Sequence, residues 1–405
     1  MTNIGIVGGG VAGLHLGLYL RKHDVPVTIY SDKTVEQLGT GRLPNTVAHQ
    51  NTTIRREQEL GISHWDLDEY GYTAHHHHIA GDPPLRFTPH ASGPARALDY
   101  RIYLPRLVED FVARGGNFET RQVQPATIVS LSEQHDLVVV GTGKAGLSNM
   151  FGRRTDASPF DVPQRKLSAG LYHGVARPDP TGMTMSVSPE GELLELPMHS
   201  FDGPVTTLLF EIKPGGDMEE LAHLRYEDDP AAFEKAVLSK LEKYHPTVFA
   251  RVNPSEFSLT RPEDIVQGAL VPGVREDYVR LPNGRYALSV GDAHTTVDPM
   301  IGQGANLASY SAFVIGESIV EDLGFDERFC VKVARKRAHR VLSTVQWGNF
   351  MLRREPPAHQ IRLFQRMATD QALADEFIDF FNQPERLWDV LSTPERTDAF
   401  LAAHD

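Results

Sequence analysis

Apolar positions along the chain change period several times, and the changes mark out its elements. Ile4–Val7 is a short continuous apolar run of strand type. It is followed by leucines at 14, 16, 18 and 20 in a helical segment, and by a second run, Val25–Tyr30. Together these predict a βαβ unit at the start of the chain. Further runs at Asp136–Val140 and Tyr286–Val290 read as buried strands of the same layer. Between them lie strand patterns at Tyr72–Ile79, Leu85–Thr88, Leu167–Val175, Met183–Val187, Leu193–Pro197 and Val205–Ile212. These predict an antiparallel sheet, with a helical segment over Pro230–Phe249 packed outside it. Leu208 and Phe210 alternate on their strand, and core packing is favoured over cavity lining for both. Beyond residue 326 the period becomes helical, over Phe329–Phe350, Ala358–Met367 and Gln371–Phe381. These helices read as a cover for the core, with a homodimer or docking surface as the other reading.

The resulting expectation is an α/β protein with a Rossmann-like domain, an antiparallel-sheet domain and C-terminal helices. The nucleotide domain takes residues 1–68, 96–160 and 264–325. The second domain takes 69–95 and 161–263, and the helical region 326–405.

Glycines give the first unit its chemistry. Gly8-x-Gly10-x-x-Gly13 follows the first strand directly. Gly8 permits the tight turn, Gly10 lets a pyrophosphate approach the backbone, and Gly13 lets helix and strand pack closely. The turn residues Gly8, Gly10, Val11, Ala12 and Gly13 are therefore expected to bind a dinucleotide at the helix N-terminus. The second strand departs from the usual pattern. Ser31 occupies the position of the ribose-binding acid, with Asp32 one residue late. A neutral hydroxyl there loosens the ribose contact and points to a cofactor that comes and goes.

Composition narrows the partners. The chain has 405 residues, 53 acidic and 40 basic, for a formal net charge of −13, which disfavours nucleic acid or an anionic membrane. A single cysteine, Cys330, excludes an intrachain disulfide and thiolate metal clusters. No apolar run approaches the roughly 20 residues of a membrane helix, and MTNIGIVGGG lacks a signal-peptide layout. A cytoplasmic protein is expected.

The segment YALSVGDAHTTVDPMIGQGANLASYSAFVIGESI is more specific than the first glycines. Gly291-Asp292 ends a strand, and Pro299-x-x-Gly302-Gln303-Gly304-Ala305-Asn306 opens an apolar helix. It resembles the Gly-Asp segment of flavin-dependent monooxygenases of the aromatic hydroxylase superfamily. That resemblance implies FAD, with Asp292 on the ribityl chain and the helix start facing the pyrimidine end of the isoalloxazine. The superfamily's mid-chain Asp-Gly motif is missing. After Asp136–Val140 the chain reads Gly141-Thr142-Gly143-Lys144. With no evident NAD(P)H site, reduced flavin must come from a separate reductase.

Three more stretches narrow the family. They are Arg42-Leu43-Pro44-Asn45-Thr46-Val47-Ala48-His49, Asp99-Tyr100-Arg101-Ile102-Tyr103, and Phe380-Phe381-Asn382-Gln383-Pro384-Glu385-Arg386-Leu387-Trp388-Asp389. With the flavin motifs they resemble the epoxidase component of two-component styrene monooxygenases, close to the indole monooxygenases, over essentially the whole chain. The resemblance implies FAD used as a diffusible substrate, delivered reduced by an NADH-dependent flavin reductase. It also implies that O2 adds to the flavin as a C4a-hydroperoxyflavin, which epoxidises a styrene-like vinyl arene. Asn45, Val47, His49, Tyr72 and His75 agree with the styrene type, whereas Ala95 agrees with the indole type. An indole monooxygenase, forming indole oxide and then indigo, is the alternative. A halogenase is disfavoured, because Trp65, Trp347 and Trp388 stand alone. A metal-binding protein, or a flavin binder without oxygenase activity, are the readings from another class.

The resemblance places Asn45, Thr46, Val47, His49, Tyr72, His75, Pro299 and Met300 around the reacting groups. If Asn45–His49 is helical, Asn45 and His49 share a face. Arg42 is expected on the FAD phosphates, and Arg101 and Val123 are also placed with the cofactor. No metal site is expected, despite His75–His78. On a strand, His75 and His77 face one way and His76 and His78 the other, so four ligands cannot converge. The same rule puts Tyr72 and His75 on opposite faces, so a bulge or bend at Thr73-Ala74 is required for both to reach one pocket.

Overall fold

The structure, a computed structural model, describes residues 2–143 and 146–404. Lys144, part of the Gly141–Lys144 stretch, lies outside the described residues.

The first layer is a six-stranded sheet in the order 278–280, 286–289, 137–140, 4–7, 27–31, 117–120. All its pairings are parallel except the hairpin of Tyr278–Arg280 with Tyr286–Ser289. Ile4–Val7 and Leu137–Val140 are buried along their full length, which explains their unbroken apolar sequences. The helix Val11–Lys22 packs on this sheet and against the helix Gly304–Glu321. Asp99 caps the helix Tyr100–Ala113 by accepting from the Arg101 N–H.

The second layer is a ten-stranded sheet. Its strands Lys166–His173, Gly182–Ser188, Gly191–Ser200 and Gly203–Ile212 match the expected runs to within a few residues. The sheet is mixed rather than antiparallel. Gly71–Ile79 runs parallel to Gly182–Ser188, with His75 opposite Met183. Two of its pieces come from segments expected in the nucleotide domain: Ala48–His49, and Ile265–Gly268. The strand His90–Leu98 was not expected. Its sequence, HASGPARAL, carries Gly, Pro and small residues in place of β-branched ones. The outer helix divides into Pro230–Tyr244 and Pro246–Phe249.

The C-terminal region forms helices at Glu327–Met351, Ala358–Met367 and Gln371–Asp379, with two more at Pro384–Leu391 and Pro394–Ala402. Their apolar faces share one core with Phe87, Ile301 and Leu307, so they buttress the turn that opens the helix at Gly304. The Asn382–Glu385 stretch supplies the fastenings. The Asn382 side chain accepts from the Thr52 N–H at 2.9 Å, and Glu385 pairs with Arg340 at 2.7 Å. No described helix is long and apolar enough to cross a membrane.

Candidate active site

The three N-terminal glycines do three different jobs. Gly8 has φ +126°, a conformation side chains rarely adopt, and lies against the Gly141–Thr142 backbone. A Cβ on Gly13 would collide with the Gly8 carbonyl oxygen. A Cβ on Gly10 would meet nothing, because Gly10 faces open space. The helix Val11–Lys22 has no side-chain cap and no acid in its first turn. Its first N–H groups are thus left for an anionic ligand.

A second helix start faces the same space. Gly291 and Gly302 take positive φ, +56° and +60°. Asp292 lies tightly against Gly143, where a Cβ would come 2.5 Å from its own, and burial pushes its carboxyl up. The helix Gly304–Glu321 also begins without a side-chain cap. Between the two helix starts opens a cavity of ≈ 520 Å³, within the usual range for small-molecule sites. Gly10, Val11, Ala12, Gly291, Asp292, Gly302, Gly304 and Ala305 line it on the nucleotide side. Asn45, Thr46, Val47 and Pro299 line it from the flanking turns. Leu167, Ala169, Leu209 and Val266, from the larger sheet, form an apolar wall.

Two uncapped helix N-termini, a bare glycine and an apolar wall fit a flavin dinucleotide. The buried Asn45 Oδ1, which has no hydrogen-bond donor, adds a polar atom awaiting a partner.

Several expected residues lie elsewhere. Arg42 is exposed and pairs with Glu227 at 2.6 Å, not with the cavity. Arg101 is buried between Asp99 and Asp264, at 2.6 Å from each, so its charge is already matched. Its neighbour Tyr100 lines the cavity instead. The Asn45–His49 segment is not helical and ends in the strand Ala48–His49, which removes the shared helical face. His49 is buried, with its ring nitrogens 2.7 Å from the Tyr100 hydroxyl and 2.6 Å from Glu57. Glu57 also pairs with the fully buried Arg96 and accepts from Tyr103. His49 therefore supports Tyr100 from behind the cavity wall.

Asn306 is similarly occupied, accepting from Gln50 N–H and the Thr53 hydroxyl and donating to Ala48 and Gly302 carbonyls. Gln303 donates to the Phe381 carbonyl at 3.1 Å. Met300 is buried against the larger sheet, behind Pro299. Val123 packs with Tyr30 and Ile128. The Ser31 hydroxyl bonds the Lys33 backbone at 2.9 Å and lies close to Gly9, while Asp32 is exposed.

Tyr72 and His75 lie side by side, but neither lines the cavity. The register of Gly71–Ile79 against His90–Leu98 breaks between Tyr72, opposite Ala95, and Ala74, opposite His90. Two residues advance on this strand while five advance on His90–Leu98, so the surplus residues belong to the partner strand. Among the described residues the Tyr72 hydroxyl and His75 Nδ1, both buried, have no hydrogen-bond partner. Burial, with help from His77 and His76, pulls His75 down to about 3, so its ring is neutral at working pH.

The rest of the histidine run is sheet structure. His76 contacts the Pro180 carbonyl at 2.8 Å, His77 stacks on Phe87, and His78 meets the Thr247 hydroxyl at 2.6 Å. Among the described residues, no group of His, Cys, Asp and Glu is arranged to hold a metal.

Sequence reasoning missed the apolar wall. Leu209 faces the cavity, whereas Leu208 and Phe210 pack into the core on the sheet's other side. Alternation gives two faces but not which one is roofed by flavin-binding elements.

Comparison with known proteins places this geometry. The "Styrene monooxygenase A putative substrate binding domain" family matches residues 143–251. A styrene monooxygenase from Pseudomonas sp is 45% identical over 397 residues, covering 97% of this chain and 96% of that protein. The chain belongs to the styrene monooxygenase family. A second member, from Pseudomonas fluorescens, is 44% identical with the same coverage. The family is one of flavin-dependent monooxygenases, and the wider fold agrees. The solved structure of the flavin-dependent brominase Bmp2 superposes with a TM-score of 0.69, covering 99% of this chain and 98% of its own, at 14% identity. At that identity the likeness concerns the fold alone.

Proposed function

We propose that this styrene monooxygenase family member epoxidises styrene-like vinyl arenes, using O2 and FAD that a separate flavin reductase delivers in reduced form. The observation that carries the reading is the meeting of two uncapped helix N-termini with an apolar sheet wall at one cavity. One side suits a flavin and its phosphates, and the other suits an arene.

The residues divide the work. The Val11 helix start and Gly10 receive the pyrophosphate. Asp292 would hold the ribityl chain, and the helix start at Gly304 would offer its N–H groups to the pyrimidine end of the ring. Val47 and Pro299 would hold the ring between them, and Asn45 Oδ1 would be available to accept a hydrogen bond from it. Reduced flavin, once held by these residues, would supply the electrophilic oxygen from O2. Leu167, Ala169, Leu209 and Val266 exclude water and hold the vinyl group near that oxygen. No acid–base pair from the protein is needed for oxygen transfer to an alkene. The neutral Ser31 and the missing Asp-Gly motif support a diffusible cofactor reduced elsewhere.

Ala95, directly opposite Tyr72, supports an indole monooxygenase as the second reading. Cells producing the protein with a flavin reductase would be fed styrene and indole separately. Faster styrene oxide formation is expected, and blue pigment outpacing epoxide would favour the indole reading.

A further inference from the structure

Beside the apolar wall lies a buried acidic cluster that oxygen transfer does not use. Glu211 is fully buried, and among the described residues neither of its carboxyl oxygens meets an N–H or O–H. It stands two residues from Leu209 and opposite Leu167, so it shares their face of the sheet. Its carboxyl faces that of Asp298, which is 2% exposed. Asp298 is the residue before Pro299, and its Oδ1 accepts from the Met300 N–H at 3.1 Å. Glu192, opposite Glu211 on the adjacent strand, completes the acids. The one cation among them, Arg165, is already held by both oxygens of Glu192, at 2.8 and 3.0 Å.

Three buried carboxyls thus face a single guanidinium. Full ionisation would leave two uncompensated charges in contact out of water. A shared proton removes one charge and turns the Glu211–Asp298 contact into a strong hydrogen bond. We propose that Glu211 and Asp298 share one proton at working pH, and that this bond clasps the Asp298–Gly302 turn to the substrate sheet. Glu211 is then a positioning residue for Pro299 and the helix start at Gly304. Burial, with Asp298 and Glu192 adding to it, pushes Glu211 well above the usual carboxylate range. Burial also raises Asp298 to about 6.

The sign of the pH effect follows. A carboxyl whose folded pKa exceeds its unfolded one stabilises the fold fully only below the unfolded value. That contribution is lost as pH rises through the folded value. The clasp therefore loosens towards alkaline pH. Arg165 and Glu192 are the other charged groups facing it: Glu192 adds to the rise, and Arg165 opposes it without reversing it.

The test uses the flavin-free protein, so it does not depend on the substrate reading. Infrared spectra of the wild type at neutral pH are expected to show a protonated-carboxyl C=O band that disappears in Glu211→Gln. The wild-type Tm is expected to fall by about 2–4 °C across the alkaline ionisation, with Glu211→Gln, whose amide donates at every pH, lacking that limb. Loss of the limb with intact overall fold separates a proton clasp from mere packing. If Glu211→Gln does not fold, Asp298→Asn, which keeps the acceptor for Met300, gives the same two readings. Absence of the wild-type band, or an alkaline limb unchanged in the folded variant, would overturn the proposal.

Discussion

The rings of Tyr72 and His75 lie 6.0 Å apart, although their spacing along a regular strand would put them on opposite faces. The register against His90–Leu98 breaks between Tyr72 and Ala74, and the ring of Phe381 from the C-terminal region lies 5.8 Å from that of His75. The pair is buried behind the cavity lining, and among the described residues the Tyr72 hydroxyl and His75 Nδ1 have no hydrogen-bond partner.

Tyr72→Phe tests that arrangement. A buried hydroxyl without a partner costs about 1–3 kcal/mol, so removing it is expected to leave Tm unchanged or higher. Styrene turnover is expected to fall several-fold, as measured with reduced FAD supplied. A marked drop in Tm would mean the hydroxyl is structural.

The glycines of the first turn separate folding from binding. Gly10→Ala adds a methyl into open space at an extended φ of −88°, so the fold is expected to persist. FAD affinity should weaken by about tenfold or more, near 1.4 kcal/mol, when titrated by flavin fluorescence. Gly13→Ala collides with the Gly8 carbonyl. It is expected to destabilise by about 1–3 kcal/mol or more, measured by denaturant unfolding.

The two arginines predict opposite outcomes. Arg101→Ala leaves Asp99 and Asp264 buried without their cation and is expected to cost about 3–5 kcal/mol. Arg42→Ala breaks an exposed pair with Glu227 and should change stability by less than about 1 kcal/mol. Chemical denaturation of both variants checks the contrast.

Much of the site was legible before any coordinates. The glycine turn, the Gly291-Asp292 segment and the Pro299–Ala305 stretch all line or frame the cavity, because close backbone approach leaves glycine at fixed spacings. The alternation rule asked for a bulge or bend at Thr73-Ala74 if Tyr72 and His75 were to reach one pocket; a register break lies there, but neither residue lines the cavity. What stayed hidden depended on partners distant in sequence. Arg101 looks like any helix arginine until Asp264, 163 residues later, is seen to neutralise it. Its neighbour Tyr100 reaches the cavity because the helix start turns that way. The strand His90–Leu98 was invisible because pairing, not propensity, holds its small residues extended. The parallel pairing of Gly71–Ile79 with Gly182–Ser188 likewise leaves no mark in a single chain's pattern.

The most direct test supplies the purified protein with chemically reduced FAD, O2 and styrene, and no reductase. Styrene oxide formed in proportion to the protein, and lost in Gly10→Ala, is the expected result. A correctly folded protein that binds reduced FAD yet yields no epoxide would contradict the account.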